Sequence, residues 1–359
     1  MFWEVMWALV LGFAISALLQ VFVSKEKMTN ALGKAGLREV AVATGFGAAS
    51  SSCSYAAAAA AKTAFKKGAA LVPTLAFMFA STNIVFELGF VLWLLMGWQF
   101  VLAELVGAFL LIGFMWLIVT LTLPKGLEQE ARNHEEENQG SHMHMHGGHS
   151  KLTQIANAFV MDWSMVWKEI VVGFFISGFL AVLVPNHWWQ AAFLSGSGHP
   201  SLKLLENVVV GPLIAVASFV CSVGNIPLAS VLWSGGISFG GVVSFIYADL
   251  IVLPLIRVYS KYYGWRTAVY ITLVMFTSMV LSGFVIDLIF SALHLSPTGA
   301  RPISPIMEAK FAWNYTTWLD MAAIAVGIFL IWTHLRPLPQ DSAGMQHHEH
   351  PMSPEEHCH

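Results

Sequence analysis

Six long apolar runs decide most of what this chain can become. They are Phe2–Val23, Val101–Leu123, Val171–Val184, Gly236–Ile256, Thr267–Phe290 and Trp318–Trp332. A helix needs about 20 apolar residues to cross the hydrocarbon core of a bilayer, and most of these runs approach or exceed that length. Inside lipid every backbone N–H and C=O must be satisfied within the protein, so such runs are read as helices. Only 11% of the residues are charged, against roughly 25% in a soluble domain. No aqueous core could bury so much apolar surface. The net charge of -3 argues against nucleic acid as a partner, and the 14 tryptophans suit the two membrane interfaces. The first run follows MFWEVMW, which has no positive charge and leads to no small-residue cleavage pattern. It is expected to stay in the mature fold. Three cysteines are too few for a disulfide framework, so Cys53, Cys221 and Cys358 are read as free thiols.

The runs are not independent. Leu11-Gly-Phe-Ala-Ile-Ser-Ala-Leu-Leu19 resembles Val172-Gly-Phe-Phe-Ile-Ser-Gly-Phe-Leu180, and Ala49–Ala80 aligns without a gap on Ala217–Ala248. The second block pairs Ser50 with Ser218, Cys53 with Cys221, Ser54 with Ser222, Gly68 with Gly236 and Phe77 with Phe245. Two blocks in the same order point to a repeated unit. Lys25, Lys27, Lys34 and Arg38 follow the first run, whereas the loop after the matching run, Asn186–Ser201, has no Lys or Arg. Conversely, Arg257, Lys261 and Arg266 crowd a loop whose first-half counterpart, Gly89–Trp98, is uncharged. Short basic loops stay cytoplasmic, so equivalent loops are expected on opposite sides. That is an inverted repeat of the kind used by secondary transporters.

The expected fold is therefore an all-α polytopic membrane protein built from two inverted repeats, with a further C-terminal transmembrane helix. Its divisions are a first membrane repeat at 1–124, a cytoplasmic His/Met-rich loop at 125–165, a second repeat at 166–293, an outer loop and last span at 294–335, and a His-rich cytoplasmic tail at 336–359. The N-terminus is expected outside and the chain in the inner (plasma) membrane, with a homo-oligomer as a further expectation. Each repeat is expected to carry a re-entrant hairpin or a broken spanning helix, at 36–66 and at Leu202–Ser234. The breaks are expected at Ser50–Ser54 and at Cys221–Pro227, where Gly224 and Pro227 punctuate the second. Residues 69–88 and Gly236–Ile256 then cross, and Lys62, Lys66 and Lys67 mark a cytoplasmic exit from the first hairpin.

Irregular backbone at membrane depth is tolerated only inside protein or beside water, which makes the two breaks the candidate substrate site. The residues assigned to it are Cys53, Ser54, Cys221, Ser222, Asn225 and Asn83. Hydroxyls there satisfy freed backbone groups, and the following half-helix points N–H groups inward. Thiols add affinity for soft metals and for trivalent arsenic or antimony; the plainer reading is that Cys and Ser are small packing residues. Carboxylates inside a membrane are costly and usually functional. Asp249 and Glu87 are assigned to proton coupling, Glu87 lying four residues from Asn83 on one helical face. Glu104 and Asp287 read equally well as interface residues. The segment His134–His149 is dense in His and Met, so His142, His144, His146 and His149 can hold a divalent or soft metal ion. The plainer reading there is a polar linker. No hydrolase elbow, P-loop or His-Glu-x-x-His is present, so no enzyme is expected, no cofactor is required, and a gradient must supply the energy.

At Cys53-Ser54, at Gly68-Ala69 leading to Leu75-Ala-Phe-Met-Phe-Ala80, and at Phe245-Ile-Tyr-Ala-Asp-Leu-Ile-Val-Leu-Pro254 ending near Tyr262-Tyr-Gly264, the chain resembles the ArsP/YraQ-like family of predicted permeases. That family includes bacterial permeases that export trivalent organoarsenicals. Where it often carries prolines, this chain has Tyr55-Ala-Ala-Ala58 and Ser81-Thr-Asn83, the mark of a different subfamily. The resemblance implies a permease fold and an export role. The expected function is secondary-active export of a toxic thiophilic species, with the lipid bilayer and a small-molecule or metal(loid) substrate as partners. Alternatives are transport of an ordinary solute or anion with structural cysteines, a membrane metal sensor, and an intramembrane enzyme.

Overall fold

The computed structural model describes residues 2–22, 25–50, 53–124, 126–139, 151–161, 163–164, 167–168, 171, 200–218, 222–234, 236–297 and 315–335. Among the described residues there are helices and no strand. In chain order they are α1 (Phe2–Phe22), α2 (Lys25–Leu32), α3 (Leu37–Ser50), α4 (Ser54–Lys66), α5 (Leu71–Asn83), α6 (Phe86–Met96), α7 (Trp98–Thr122) and α8 (Leu127–Gln139). After a helical stretch at 151–161 come α9 (Pro200–Ser218), α10 (Ser222–Ser234), α11 (Phe239–Tyr247), a 3-10 turn at Ala248–Ile251, α12 (Leu253–Tyr263), α13 (Trp265–Ala292) and α14 (Tyr315–Leu335). Trp98–Thr122, Trp265–Ala292 and Thr317–Leu335 are each long and apolar enough to cross a membrane. Large apolar side chains such as Phe109, Leu121, Leu273, Trp318 and Ile328 face outward from these three helices, as lipid contact requires. The expected run Val171–Val184 and the expected tail and outer loop fall largely outside the described residues.

Three expectations need correction. Gly236–Ile256 is not one straight span. Phe239–Ile251 and Leu253–Tyr263 meet at a 44° bend, because Pro254 sits in the first turn of α12 and has no N–H to give the Leu250 carbonyl. The Tyr259 hydroxyl donates to that carbonyl instead, at 2.9 Å. Secondly, Gly89–Trp98 is not an uncharged loop, since α6 runs through Met96 and the chain turns only at Gly97, with φ at 100°. Its apolar sequence Phe86-Glu-Leu-Gly-Phe-Val-Leu-Trp-Leu-Leu-Met96 simply continues as helix past an α5–α6 break at Ile84–Val85. Thirdly, Gly224 and Pro227 do not break the second hairpin; α10 starts at Ser222 and runs through both. Pro227, the sixth residue of α10, has no N–H to give the Val223 carbonyl, yet the helix continues through it.

The helices after the two Cys-Ser pairs are built alike. Both α4 and α10 have 13 residues, and each ends on a glycine with positive φ, Gly68 at 102° and Gly236 at 104°. There the amide after the glycine reaches back to close the helix, Ala69 N–H to Ala64 O at 3.0 Å and Ile237 N–H to Leu232 O at 3.3 Å. This is the left-handed cap that glycine adopts without steric penalty.

Two ends of the bundle gather different segments. At one end the Trp116 indole donates to Ala35 O at 2.9 Å, Thr122 and Tyr270 share a hydrogen bond of 3.1 Å, and Arg266 lies 3.4 Å from Glu130. At the other, Phe100 packs on Trp233 and Phe239, and Phe239 on Phe290. Between them the helices cross with backbone nearly touching. A Cβ on Gly283 of α13 would lie 2.6 Å from the Gly240 carbonyl oxygen and 2.8 Å from the Ser244 Cβ of α11. Such small-residue crossings replace the missing hydrophobic drive between helices in lipid. Gly283→Val is expected to lower stability by about 1–3 kcal/mol, the usual cost of overpacking, read as a lower melting temperature in detergent.

Candidate functional site

The first break lies where expected. α3 ends at Ser50, whose hydroxyl donates to the Gly47 carbonyl at 2.8 Å and so satisfies one of the last acceptors of that helix. Cys53 takes the extended N-cap conformation of α4, with φ at -67° and ψ at 161°, and no side chain caps this helix. Among the described residues it forms no disulfide, and it is half-buried and packed against the apolar core. Ser54, the first residue of α4, is buried and donates its hydroxyl to Asp249 Oδ2 at 2.7 Å. That single bond ties the tip of the first-half break to the 3-10 turn of the second half.

Asp249 is held by its neighbours. Tyr247, two residues before it, donates its hydroxyl to the backbone carbonyls of Glu104 at 2.9 Å and Ala103 at 3.3 Å on α7. Gly107 leaves the room for this ring, since a Cβ there would collide with the Tyr247 hydroxyl. Tyr259 braces the turn from below, and Tyr55 and Tyr263 lie within electrostatic reach of the Tyr259 phenol. Glu104 and Asp249 are themselves within electrostatic reach of each other. The centre is therefore a polar island of carboxyls, phenols and one serine among buried apolar helices.

Asn83 closes α5. Its amide donates to Phe79 O at 3.0 Å and to Thr82 Oγ1 at 3.1 Å. Ser81 and Thr82 donate to Met78 O at 3.0 and 3.2 Å, so side chains satisfy the carbonyls of a helix end buried inside the protein. Asn83 and Glu104 face a cavity of about 240 Å³ between α5, α6 and α7; Cys53 does not line it. Asn225 on α10 is fully buried and neither of its amide atoms has a hydrogen-bond partner among the described residues. The same holds for Asn207 on α9, which sequence reading did not single out.

Several assigned residues lie outside this description. Cys221 and His142, His144, His146 and His149 are not among the described residues, and the side chains of Ser222 and Glu87 are not either. Among the described residues no cluster of His, Cys, Asp and Glu has metal-binding geometry. Lys62, one of three lysines expected to mark a cytoplasmic exit, is 8% exposed with its ammonium 4.7 Å from the centre of the Tyr262 ring. Its long stem lies on a helix whose alanines pack inward, which buries the head against an aromatic face. Asp287 donates no chemistry to the centre; it accepts Gly240 N–H at 2.9 Å near the start of α11. Asp320 on α14 was overlooked in the sequence, and it accepts the Trp7 backbone N–H at 2.9 Å.

A family model, ArsP_1, described as a predicted permease, matches residues 1–288. The curated protein named "Putative permease Rv2963" from Mycobacterium tuberculosis is 40% identical over 326 residues, covering 86% of this chain and 79% of its own length. No solved structure matches the chain.

Proposed function

Since the chain belongs to the ArsP_1 family of predicted permeases, we propose that it is a secondary-active exporter of a toxic thiophilic species, an organoarsenical, metalloid or heavy metal. Substrate passes a central site between two hairpins that carry Cys53-Ser54 and Cys221-Ser222, with Asn83 and Asn225 as polar contacts. The observation that carries this reading is the buried 2.7 Å bond from Ser54 to Asp249, which joins a helix break of one half to an unwound turn of the other. Unwound backbone meeting a half-helix end near mid-depth is how many transporters build their sites.

The two halves form an inverted repeat. In support, the exit of the first hairpin, at Phe65–Ala69, meets the chain that follows α7, through Arg132, while the exit of the second, at Trp233–Phe239, meets the start of α7 and the end of α13. The hairpins thus enter from opposite ends. The basic end is cytoplasmic, which puts the N-terminus outside the inner membrane. Asp249 and Glu87 exchange protons with transport, and His142, His144, His146 and His149 capture metal on the cytoplasmic side.

Uptake of trivalent phenylarsenical or antimonite from the medium into everted vesicles tests the thiol role. Cys53→Ala and Cys221→Ala are each expected to reduce uptake to the level of empty vesicles without loss of protein, and full activity in the double variant would reject a thiol role. A second reading, transport of an ordinary solute or anion with packing cysteines, draws on the contact of Cys53 with the apolar core. It predicts uptake indifferent to thiol reagents.

A further inference from the structure

We propose that the outward edge of the corner between α12 and α13 binds the headgroup of an anionic phospholipid, with Arg257 and Lys261 against its phosphate. The proposal needs the membrane fold and not the export reading, and it names a lipid partner with the residues that select it. α12 has two faces. Leu255, Val258, Tyr259, Tyr262 and Tyr263 are buried, which fixes how the helix faces. Leu253, Arg257 and Lys261 follow one another every four residues along the opposite, exposed edge. The chain turns at Gly264, and α13 opens on Trp265 and Arg266, both exposed.

The order of side chains along this corner is that of an amphiphile. α13 has 28 residues and is about 42 Å long, against about 30 Å for the hydrocarbon core, so it reaches into the headgroup layers. Tryptophan and basic residues mark such an interface, and Trp265 and Arg266 stand in its first turn. Farther from Gly264 the exposed residues are apolar, Leu253 on α12 and Val269 and Leu273 on α13. A phosphate accepts hydrogen bonds from the guanidinium and the ammonium, and an acyl chain runs along the leucines. A soluble acidic partner would leave Leu253 and Leu273 with nothing apolar to meet. The charges are not a requirement of the fold, because α6 and α7 make the same corner without them. α6 also has 11 residues and ends on a glycine of positive φ, Gly97, and α7 also opens on a tryptophan. Counted back from the two glycines, Phe90 stands where Arg257 does and Leu94 where Lys261 does. Arg266 lies 3.4 Å from Glu130 and is left out of the assignment. A lipid on this edge steadies a helix whose inner face carries Tyr259, the donor to the Leu250 carbonyl beside Asp249.

Native mass spectrometry of the full-length protein in neutral detergent counts bound lipids. Phosphatidylglycerol is expected to be held roughly 25-fold more tightly than phosphatidylcholine, about fivefold for each of two basic side chains. Arg257→Gln/Lys261→Gln is expected to lose that preference, and Arg257→Lys/Lys261→Arg to keep it. Lys34→Gln/Arg38→Gln removes two other exposed charges and is expected to bind as the parent does. An unchanged preference in Arg257→Gln/Lys261→Gln would overturn the proposal. Equal loss in the Lys34→Gln/Arg38→Gln variant would overturn it too, since net charge alone would then attract the lipid. Glycerol 3-phosphate is expected not to displace the lipid; displacement would mean that the edge binds phosphate and not a membrane lipid. Should Arg257→Gln/Lys261→Gln not fold, the single variants decide, each expected to lose about fivefold.

Discussion

Both Asp249→Ala and Asp249→Asn are expected to lose transport, but only the alanine variant is expected to lose stability. Asp249 is 1% exposed, and its Oδ2 accepts the Ser54 hydroxyl. Alanine leaves that hydroxyl without its acceptor, a cost of about 1–3 kcal/mol, and unties the tip of the first hairpin. Asparagine keeps an acceptor for Ser54 and removes only the exchangeable proton. Loss of 1.4 kcal/mol at the transition state of transport is about tenfold in rate, so a drop of about tenfold or more is expected for each. Vesicle uptake and detergent melting curves separate the two effects. Full flux in Asp249→Asn would leave Asp249 a structural tie with no part in proton movement.

Arg132→Ala is expected to be the most destabilising single change on the basic end. The guanidinium donates to Phe65 O and Ala69 O, each at 2.7 Å, pairs with Glu128 at 2.8 Å, and lies 4.2 Å from the centre of the Phe65 ring. It thereby clamps both sides of the Gly68 turn that ends α4. A hydrogen bond from a charged donor is worth roughly 1.5–3 kcal/mol and a cation over a ring about 0.5–2 kcal/mol. The side chain is 25% exposed, so water replaces part of this, and a net loss of about 2–4 kcal/mol is expected. Arg132→Lys should recover less than half of it, since an ammonium cannot bridge two carbonyls in one plane. Melting temperature in detergent reads both. Because the clamp holds the far end of α4, its loss should also loosen Cys53 at the near end.

Much of this architecture was legible from residue order. Apolar length predicted the helices at Phe2–Phe22, Trp98–Thr122, Trp265–Ala292 and Tyr315–Leu335, because a lipid solvent demands local satisfaction of backbone bonds and so makes helix length readable. The serine-rich break before Ser54 was legible for the same reason: hydroxyls belong where backbone groups are freed. Glu104 read equally well as an interface residue, because one residue in a long apolar run does not reveal which side of its helix is covered. The proline at 254 was visible, yet its consequence depended on Tyr259, nine residues from the carbonyl it satisfies.

Residue order by itself determined that this is a helical membrane protein of a permease family with a Cys-Ser pair in each half, since hydropathy, charge and motif are local properties. Tertiary structure alone decided which polar residues meet. Ser54 and Asp249 are 195 residues apart in the chain, and neither marks the other as a partner. Their contact follows from how α4 and the 3-10 turn pack, with Tyr247 and Gly107 setting the spacing to α7. Long-range pairing of this kind is fixed by shape complementarity over many side chains, and that information is spread across the whole chain rather than carried by any one segment.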